Sequence, residues 1–168
     1  MMDFKALRGE IQKFGLDPEK GLPEELFLLV SSLTPLINVD LLVRDDQGRV
    51  LLTWRDDEFY ASGWHVPGGI IRFREDMSDR IAAVARLELG TKVSHDPEPF
   101  AIHEVKDYKR RERGHFISML FECRLLAPPR SGLAYTGGKP RAGQWAWHEK
   151  FPEDMIEVHH FYRQYIDR

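Results

Sequence analysis

Cysteine is almost missing from this chain: Cys123 stands alone among 168 residues. No intrachain disulfide can form, so nothing marks the protein for an oxidising compartment. The setting of Cys123 in the apolar run FISMLFEC favours a buried core thiol over a nucleophile. No apolar run approaches the roughly 20 residues needed to cross a bilayer. The first residues, MMDFKALRGE, lack a basic start followed by an apolar stretch, so no signal peptide is expected. A basic excess is missing too. The formal charge of −3 argues against general nucleic-acid binding, although local arginines can still build a phosphate site. There is no repeat, no low-complexity tract, no P-loop and no dinucleotide-binding glycine fingerprint. What remains is a cytoplasmic, membrane-free chain with an ordinary apolar fraction of 42%, long enough for one domain with a real core.

Periodicity sketches the elements. Phe4, Leu7, Ile11 and Phe14 fall at helical spacing, with Asp3 placed to cap and Gly15 to terminate. A second helix is expected from Pro23, with Leu26, Leu29, Val30 and Leu33 as its apolar stripe and Pro35 as its end. LINVDLLV and RVLLTW read as strands around a polar turn. WHVPGGII follows, then a helix from about Asp76 to Leu89 with Gly90 as its natural C-cap. FAIHEV and HFISMLFECRL are further strands, joined by a charged stretch. A Pro/Gly-rich connector leads to QWAWHE, a short strand, and a last helix is expected from Pro152 to about Ile166. The order is that of a mixed α/β fold rather than regular βαβ alternation.

Chemistry concentrates between Gly68 and Thr91, in GGIIRFREDMSDRIAAVARLELGT. A glycine turn lets a backbone carbonyl approach a ligand closely. Carboxylates one turn apart on the helix that follows can hold hard cations, and Mg²⁺ in turn neutralises and orients phosphate oxygens. This stretch resembles the Nudix box: glycine, five residues, glutamate, seven residues, then Arg-Glu-apolar-x-Glu-Glu-x-Gly-apolar. Gly69, Glu75, Glu88 and Gly90 match, while Ala83, Val84, Leu87 and Thr91 replace the usual residues. With two acidic slots apolar, this helix can hold one metal ion but not several. The resemblance implies a Nudix-type α/β/α sandwich with a mixed sheet over residues 24–168, preceded by an N-terminal helical extension over residues 1–23.

From about Glu24 onward the chain resembles the GDP-mannose mannosyl hydrolase branch, through LTPLINVDLLVRDDQGRVLLTWR, GWHVPGG and VHHFYRQYI. That branch also has one dominant helical glutamate, uses Mg²⁺, and cleaves the sugar C–O bond to release GDP and sugar. The resemblance implies Glu88 as metal ligand and catalytic carboxylate and the Gly68 carbonyl as second ligand. It further implies Asp40 near the substrate and Arg55 on the diphosphate, for which a rigid guanidinium fork is suited. It also implies a homodimer. Lys106 replaces a family histidine near the leaving group and keeps a positive charge. Ile70 and Ala83 replace two arginines, and Phe116 a tyrosine.

The family's glutamine ligand and histidine base fall at Arg141 and Ala142, and Gln144 supplies an amide ligand if the register shifts. No histidine lies between Arg124 and Trp147. A base is still required to take a proton from water, and of the seven histidines His115 and His148 stand nearest by position. The expected activity is Mg²⁺-dependent hydrolysis of a nucleoside diphosphate sugar or related nucleoside diphosphate compound. The thinned box keeps a second expectation open, a ligand-sensing or interaction module on the same fold. The stretch Lys106–Arg113, with five cations and two acids, reads as a solvated hairpin before a phosphate site. The four tryptophans read as core before nucleobase platforms.

Overall fold

The computed structural model describes residues 3–57 and 60–167. Helix α1 spans Phe4–Lys13, and the Asp3 carboxylate accepts from the Lys5 and Ala6 N–H groups, as an N-cap should. None of its residues is buried. Helix α2, Glu24–Ser31, starts after Pro23 as expected. Of its expected stripe Leu26 and Val30 are half-buried as predicted, whereas Leu29 and Leu33 stay exposed, Leu33 at 75%, and Phe27 and Leu28 are half-buried in their place. Pro35 then releases the chain into strand β1.

Among the described residues eight strands form. They are β1 Leu36–Val43, β2 Val50–Asp57, β3 Tyr60–His65, β4 Gly68–Ile70, β5 Val93–His95, β6 Ala101–Lys106, β7 His115–Leu125 and β8 Trp145–His148. Of these, β5 is not expected from the sequence, and β3 begins in what reads as a loop. A five-stranded mixed sheet runs β4-β1-β7-β5, with β6 also pairing β7. β1 lies parallel to β7, with Asp40 opposite Leu120, and antiparallel to β4, with Asp40 opposite Gly68. A smaller antiparallel sheet runs β3-β2-β8. β7 reaches 11 residues because its two ends serve different partners, β6 at one and β5 at the other.

Alternation along β1 sorts the core. Val39, Leu41 and Val43 face helix α3, Met77–Val84, and pack with Ile81, Val84, Leu89, Phe121 and Cys123. Leu42 faces the opposite layer with Trp54, Trp64, Leu120, Tyr162 and Ile166. Asn38 and Asp40 share that parity, so two polar side chains enter a face that is otherwise hydrophobic. Trp145 and Trp147 lie together on the α3 side, as their spacing predicted. Cys123 is buried and burial pushes its thiol up to about 12, which fits a core residue.

Two segments depart from simple helices. After Val84 the signature helix widens into a π turn, Ala85–Leu89, before Gly90 ends it in the left-handed region at φ 68°. The expected C-terminal helix from Pro152 is a 3-10 segment, Glu157–Tyr162, followed by a four-residue α4, Arg163–Ile166. Here His159, Tyr162, Tyr165 and Ile166 all bury. Their spacing of three at the start favours the tighter turn. No helix among the described residues is long and apolar enough to cross a membrane.

Candidate active site

Glu88 is delivered by the π turn to the rim where β2, β3 and β4 meet. Its Oε1 accepts the Gly68 N–H at 3.2 Å. Its Oε2 accepts the Thr53 hydroxyl at 2.9 Å and lies 3.3 Å from His65 Nε2. Thr53 and His65 also touch each other, Oγ1 to Nε2 at 3.2 Å. Thr53 and His65 are cross-strand neighbours on β2 and β3, so the small sheet builds this cradle by register.

Gly68 is required by space. A Cβ there would sit 2.1 Å from Asp40 Oδ1. The Leu41 N–H bonds to Pro67 O and the Ile71 N–H to Ile37 O. This ladder leaves the N–H and C=O of Gly68 outside the β1 pairing, at the sheet edge. The N–H reaches Glu88, and the carbonyl is left for another partner.

Asp40 is 1% exposed. Burial pushes its carboxyl up to about 6; the facing Ser118 and Tyr162 hydroxyls oppose the rise and the nearby Glu88 charge adds to it. Ser118 and Tyr162 bond to each other at 2.6 Å. His159 is buried, and its Nδ1 accepts the Val66 N–H at 3.1 Å. Burial holds His159 well below its ordinary pKa, so the ring is neutral with its proton on Nε2.

Two clefts open at this rim. One, about 120 Å³, is lined by Asn38, Asp40, Arg55, His65, Arg113 and His159 among others. The second, about 340 Å³, is lined by Thr53, Arg55, His65, Gly68, Leu87 and Glu88 together with Leu133, Ala142 and Gly143. Arg55, His65 and Gly68 belong to both. Arg55 is also paired with Asp57.

The positions drawn from the sequence therefore divide. Glu88, Gly68, Asp40 and Arg55 come together. Lys106 does not line either cleft: it pairs with Glu104 at 2.8 Å and lines a neighbouring groove with Tyr108 and Lys109. β6–β7 register sets Lys106 opposite His115 and turns it to that groove. Arg113, which sequence reasoning passed over, lines the smaller cleft instead. Its φ of 55° is unusual for a side chain of this size, and its N–H donates to Ser31 Oγ at 3.1 Å.

Gln144 is also placed elsewhere. It is buried, and its side-chain carbonyl accepts the Arg141 N–H at 2.8 Å, closing its own loop. His148 packs on the Trp64 ring, centroids 4.7 Å apart, and burial lowers its pKa. His115 bonds to Glu104 at 3.2 Å. Neither histidine lines a cleft, whereas His65 and His159 do. His65 and His159 lie in GWHVPGG and VHHFYRQYI, the stretches that carry the family resemblance.

Box position Ala83 has a physical replacement. Arg80, one turn earlier on the helix, reaches Glu75 Oε2 through Nε at 2.8 Å and a terminal nitrogen at 2.7 Å. The Arg72 N–H adds a bond to the same oxygen at 2.9 Å. Glu75 is thus bound into the fold. Val84 is buried core, and Leu87 is 66% exposed at the mouth of the larger cleft.

Among the described residues, no three His, Cys, Asp or Glu side chains converge as a ready-made metal cluster. Glu88 offers one carboxylate beside Gly68, whose carbonyl is a hard backbone oxygen on the same strand edge. That donor set fits a single Mg²⁺, which keeps waters and takes phosphate oxygens for the rest of its octahedron.

Residues 34–150 match the family model of the NUDIX domain, and the chain belongs to the Nudix family. Within that class it is 30% identical over 113 residues to the low-salt glycan biosynthesis protein Agl8 of Haloferax volcanii, covering 64% of this chain and 70% of that protein. Solved structures share the fold at lower identity. A MutT NUDIX hydrolase from Burkholderia pseudomallei is 18% identical with a TM-score of 0.59, over 79% of this chain and 98% of its own. A UDP-X diphosphatase is 16% identical with a TM-score of 0.56, over 98% of this chain and 76% of its own.

Proposed function

We propose that this Nudix protein is a Mg²⁺-dependent hydrolase of a nucleoside diphosphate sugar or a related nucleoside diphosphate compound. The observation that carries the reading is Glu88. It occupies the box's last acidic position, is oriented by Gly68, Thr53 and His65, and lies beside two clefts that share Arg55. Glu88 and the Gly68 carbonyl would hold the cation. Mg²⁺, when bound, supplies charge to neutralise diphosphate oxygens. Arg55 and Arg113 supply guanidinium groups for the same anion. Likeness to a protein named for glycan biosynthesis supports the sugar half of the reading.

A binding module without turnover is the second reading, favoured by Ala83, Val84 and Leu87, which leave Glu88 as the one carboxylate in the box's helical acidic positions. Incubation with GDP-mannose, GDP-glucose and other nucleoside diphosphate compounds plus Mg²⁺, followed by ³¹P NMR, separates the two. The expected result is turnover that vanishes in Glu88→Gln. GDP plus free sugar would mean C–O cleavage, and GMP plus sugar phosphate would mean cleavage at phosphorus. Tight binding with no product from any substrate would replace the hydrolase by the module.

A further inference from the structure

One carboxylate and one carbonyl make a thin set for a cation, and the amide that the family resemblance offers as a further ligand is turned away. Gln144 closes its own loop by accepting the Arg141 N–H at 2.8 Å, and it lines neither cleft at the rim. A different donor stands beside Glu88. His65 Nε2 lies 3.3 Å from Glu88 Oε2. Thr53 Oγ1 is 2.9 Å from that oxygen and 3.2 Å from that nitrogen. All three residues line the larger cleft together with Gly68.

The spacing suits a shared cation. Two ligands on neighbouring corners of an octahedron, each about 2.1 Å from the ion, stand about 3.0 Å apart. Glu88 Oε2 and His65 Nε2 come close to that edge. They arrive from different elements, the π turn and β3, and the pairing of His65 with Thr53 across β2 and β3 sets where the ring stands. The ring is also not committed to its hydrogen bond with Glu88. A partner at Nδ1 would choose its tautomer, but Nδ1 is buried and meets none among the described residues. With the proton on Nε2 the ring donates to Glu88. With the proton on Nδ1, a nitrogen lone pair and a carboxylate face each other, and a cation is what joins them. The donor types then select the ion. Mg²⁺ takes oxygen, whereas an imidazole nitrogen favours the first-row divalent ions from Mn²⁺ upward.

We infer that His65 is a metal ligand in this chain: with Glu88 it forms a mixed oxygen–nitrogen site that holds Mn²⁺ in preference to Mg²⁺, and Thr53 keeps the two side chains at ligand spacing. This rests on the metal-dependent reading above and adds which ion the site prefers. Mg²⁺ can still bind through the oxygens alone.

The test uses the full chain and the metal ions themselves, first alone and then with GDP. Mn²⁺ binding is followed by EPR, and Mg²⁺ is titrated as its competitor. Mn²⁺ is expected to bind more tightly, and pulsed EPR of the bound ion is expected to show the ¹⁴N coupling of a directly bound imidazole. In His65→Phe that coupling should vanish. Mn²⁺ affinity should fall at least about tenfold, the loss that even an outer-shell partner of a metal ligand causes. Mg²⁺ affinity should change far less, because its oxygens remain. His65→Gln, which keeps a polar side chain of similar reach, gives the same reading if phenylalanine disturbs the fold.

Bound Mn²⁺ with no ¹⁴N coupling in the unaltered protein would overturn the proposal. It would leave His65 as a hydrogen-bond partner that orients Glu88, and the hydrolase reading intact. Coupling that persists in both His65 variants would place the nitrogen on another residue and overturn the proposal as well. Failure of Mn²⁺ and Mg²⁺ alike to bind, with or without GDP, would remove the metal-dependent hydrolase reading and the ligand together.

Discussion

Two carboxylates, half-buried Glu75 and fully buried Asp40, are treated in opposite ways. Burial works to raise the pKa of Glu75, but the Arg72 N–H and the Arg80 guanidinium hold it below the usual carboxylate range. Asp40 faces the Ser118 and Tyr162 hydroxyls instead of a guanidinium, and burial carries it up to about 6. A carboxylate matched by a full charge belongs to the fold. One raised by burial and answered only by neutral hydroxyls beside a cleft is of the kind that gathers at functional sites. Glu88 stands between these extremes, oriented by three neighbours yet still facing the larger cleft.

The comparison can be broken most sharply at Glu88. Glu88→Gln is expected to lower kcat by about a thousandfold or more, as removal of the carboxylate proposed to hold Mg²⁺ should. Its melting temperature should stay near that of the parent; collapse of the fold instead would move Glu88 to the structural side. The next largest effect is expected at Arg80. Arg80→Ala leaves the half-buried Glu75 carboxylate without its guanidinium partner and should cost about 3 kcal/mol in urea unfolding. Activity per folded molecule should survive, and a specific loss of kcat in a stable Arg80→Ala protein would contradict the division drawn above.

pH offers a third way to set the two carboxylates apart, in metal-free buffer. Glu75, lowered from 4.5, contributes stability that is present above its unfolded value and is lost as pH falls through its folded one. Asp40, raised from 3.8 to about 6, has the opposite sign. Its contribution is fully present below about pH 4 and declines as pH rises through about 6, by up to about 3 kcal/mol at 1.36 kcal/mol per unit. Asp40→Asn should therefore flatten the stability curve between those values and stabilise the protein at pH 7. An unchanged curve would show that Asp40 is solvated or paired in solution. The smallest expected effect is that of Thr53→Val, which removes one hydroxyl donor from Glu88. A fall of about three- to tenfold in kcat, with little change in stability, is the expected reading.

Much of this architecture was legible from periodicity and punctuation. The runs LINVDLLV and HFISMLFECRL form strands over their full lengths because near-continuous apolar stretches suit strands covered on both faces. Asp3 and Gly90 were readable because a cap side chain and a left-handed glycine have few substitutes. The site was legible only where a residue's place follows from the backbone. Gly68, Asp40 and Glu88 qualify, because strand pairing and the box fix them. Lys106 and Gln144 did not, because a long side chain and a loop amide choose between local partners, and Glu104 and the Arg141 N–H were nearer. Arg80 was missed for a related reason. Its partner Glu75 is five residues away across the loop–helix junction, a spacing that no helical rule ranks.

The π turn at Ala85–Leu89 gives the signature helix two angular phases on one axis. An extra residue in a turn rotates everything after it by about 100° relative to an unbroken helix. Up to Val84 the phase serves the core; beyond it the phase serves the rim, so Leu89 can still seal the interior while Glu88 looks out. The helix behaves as a dial with one stop on each side of the widened turn. The residues that pack it and the carboxylate proposed for its chemistry can be changed independently, which offers a physical route by which a box can carry Val84 and Leu87 and keep Glu88 aimed.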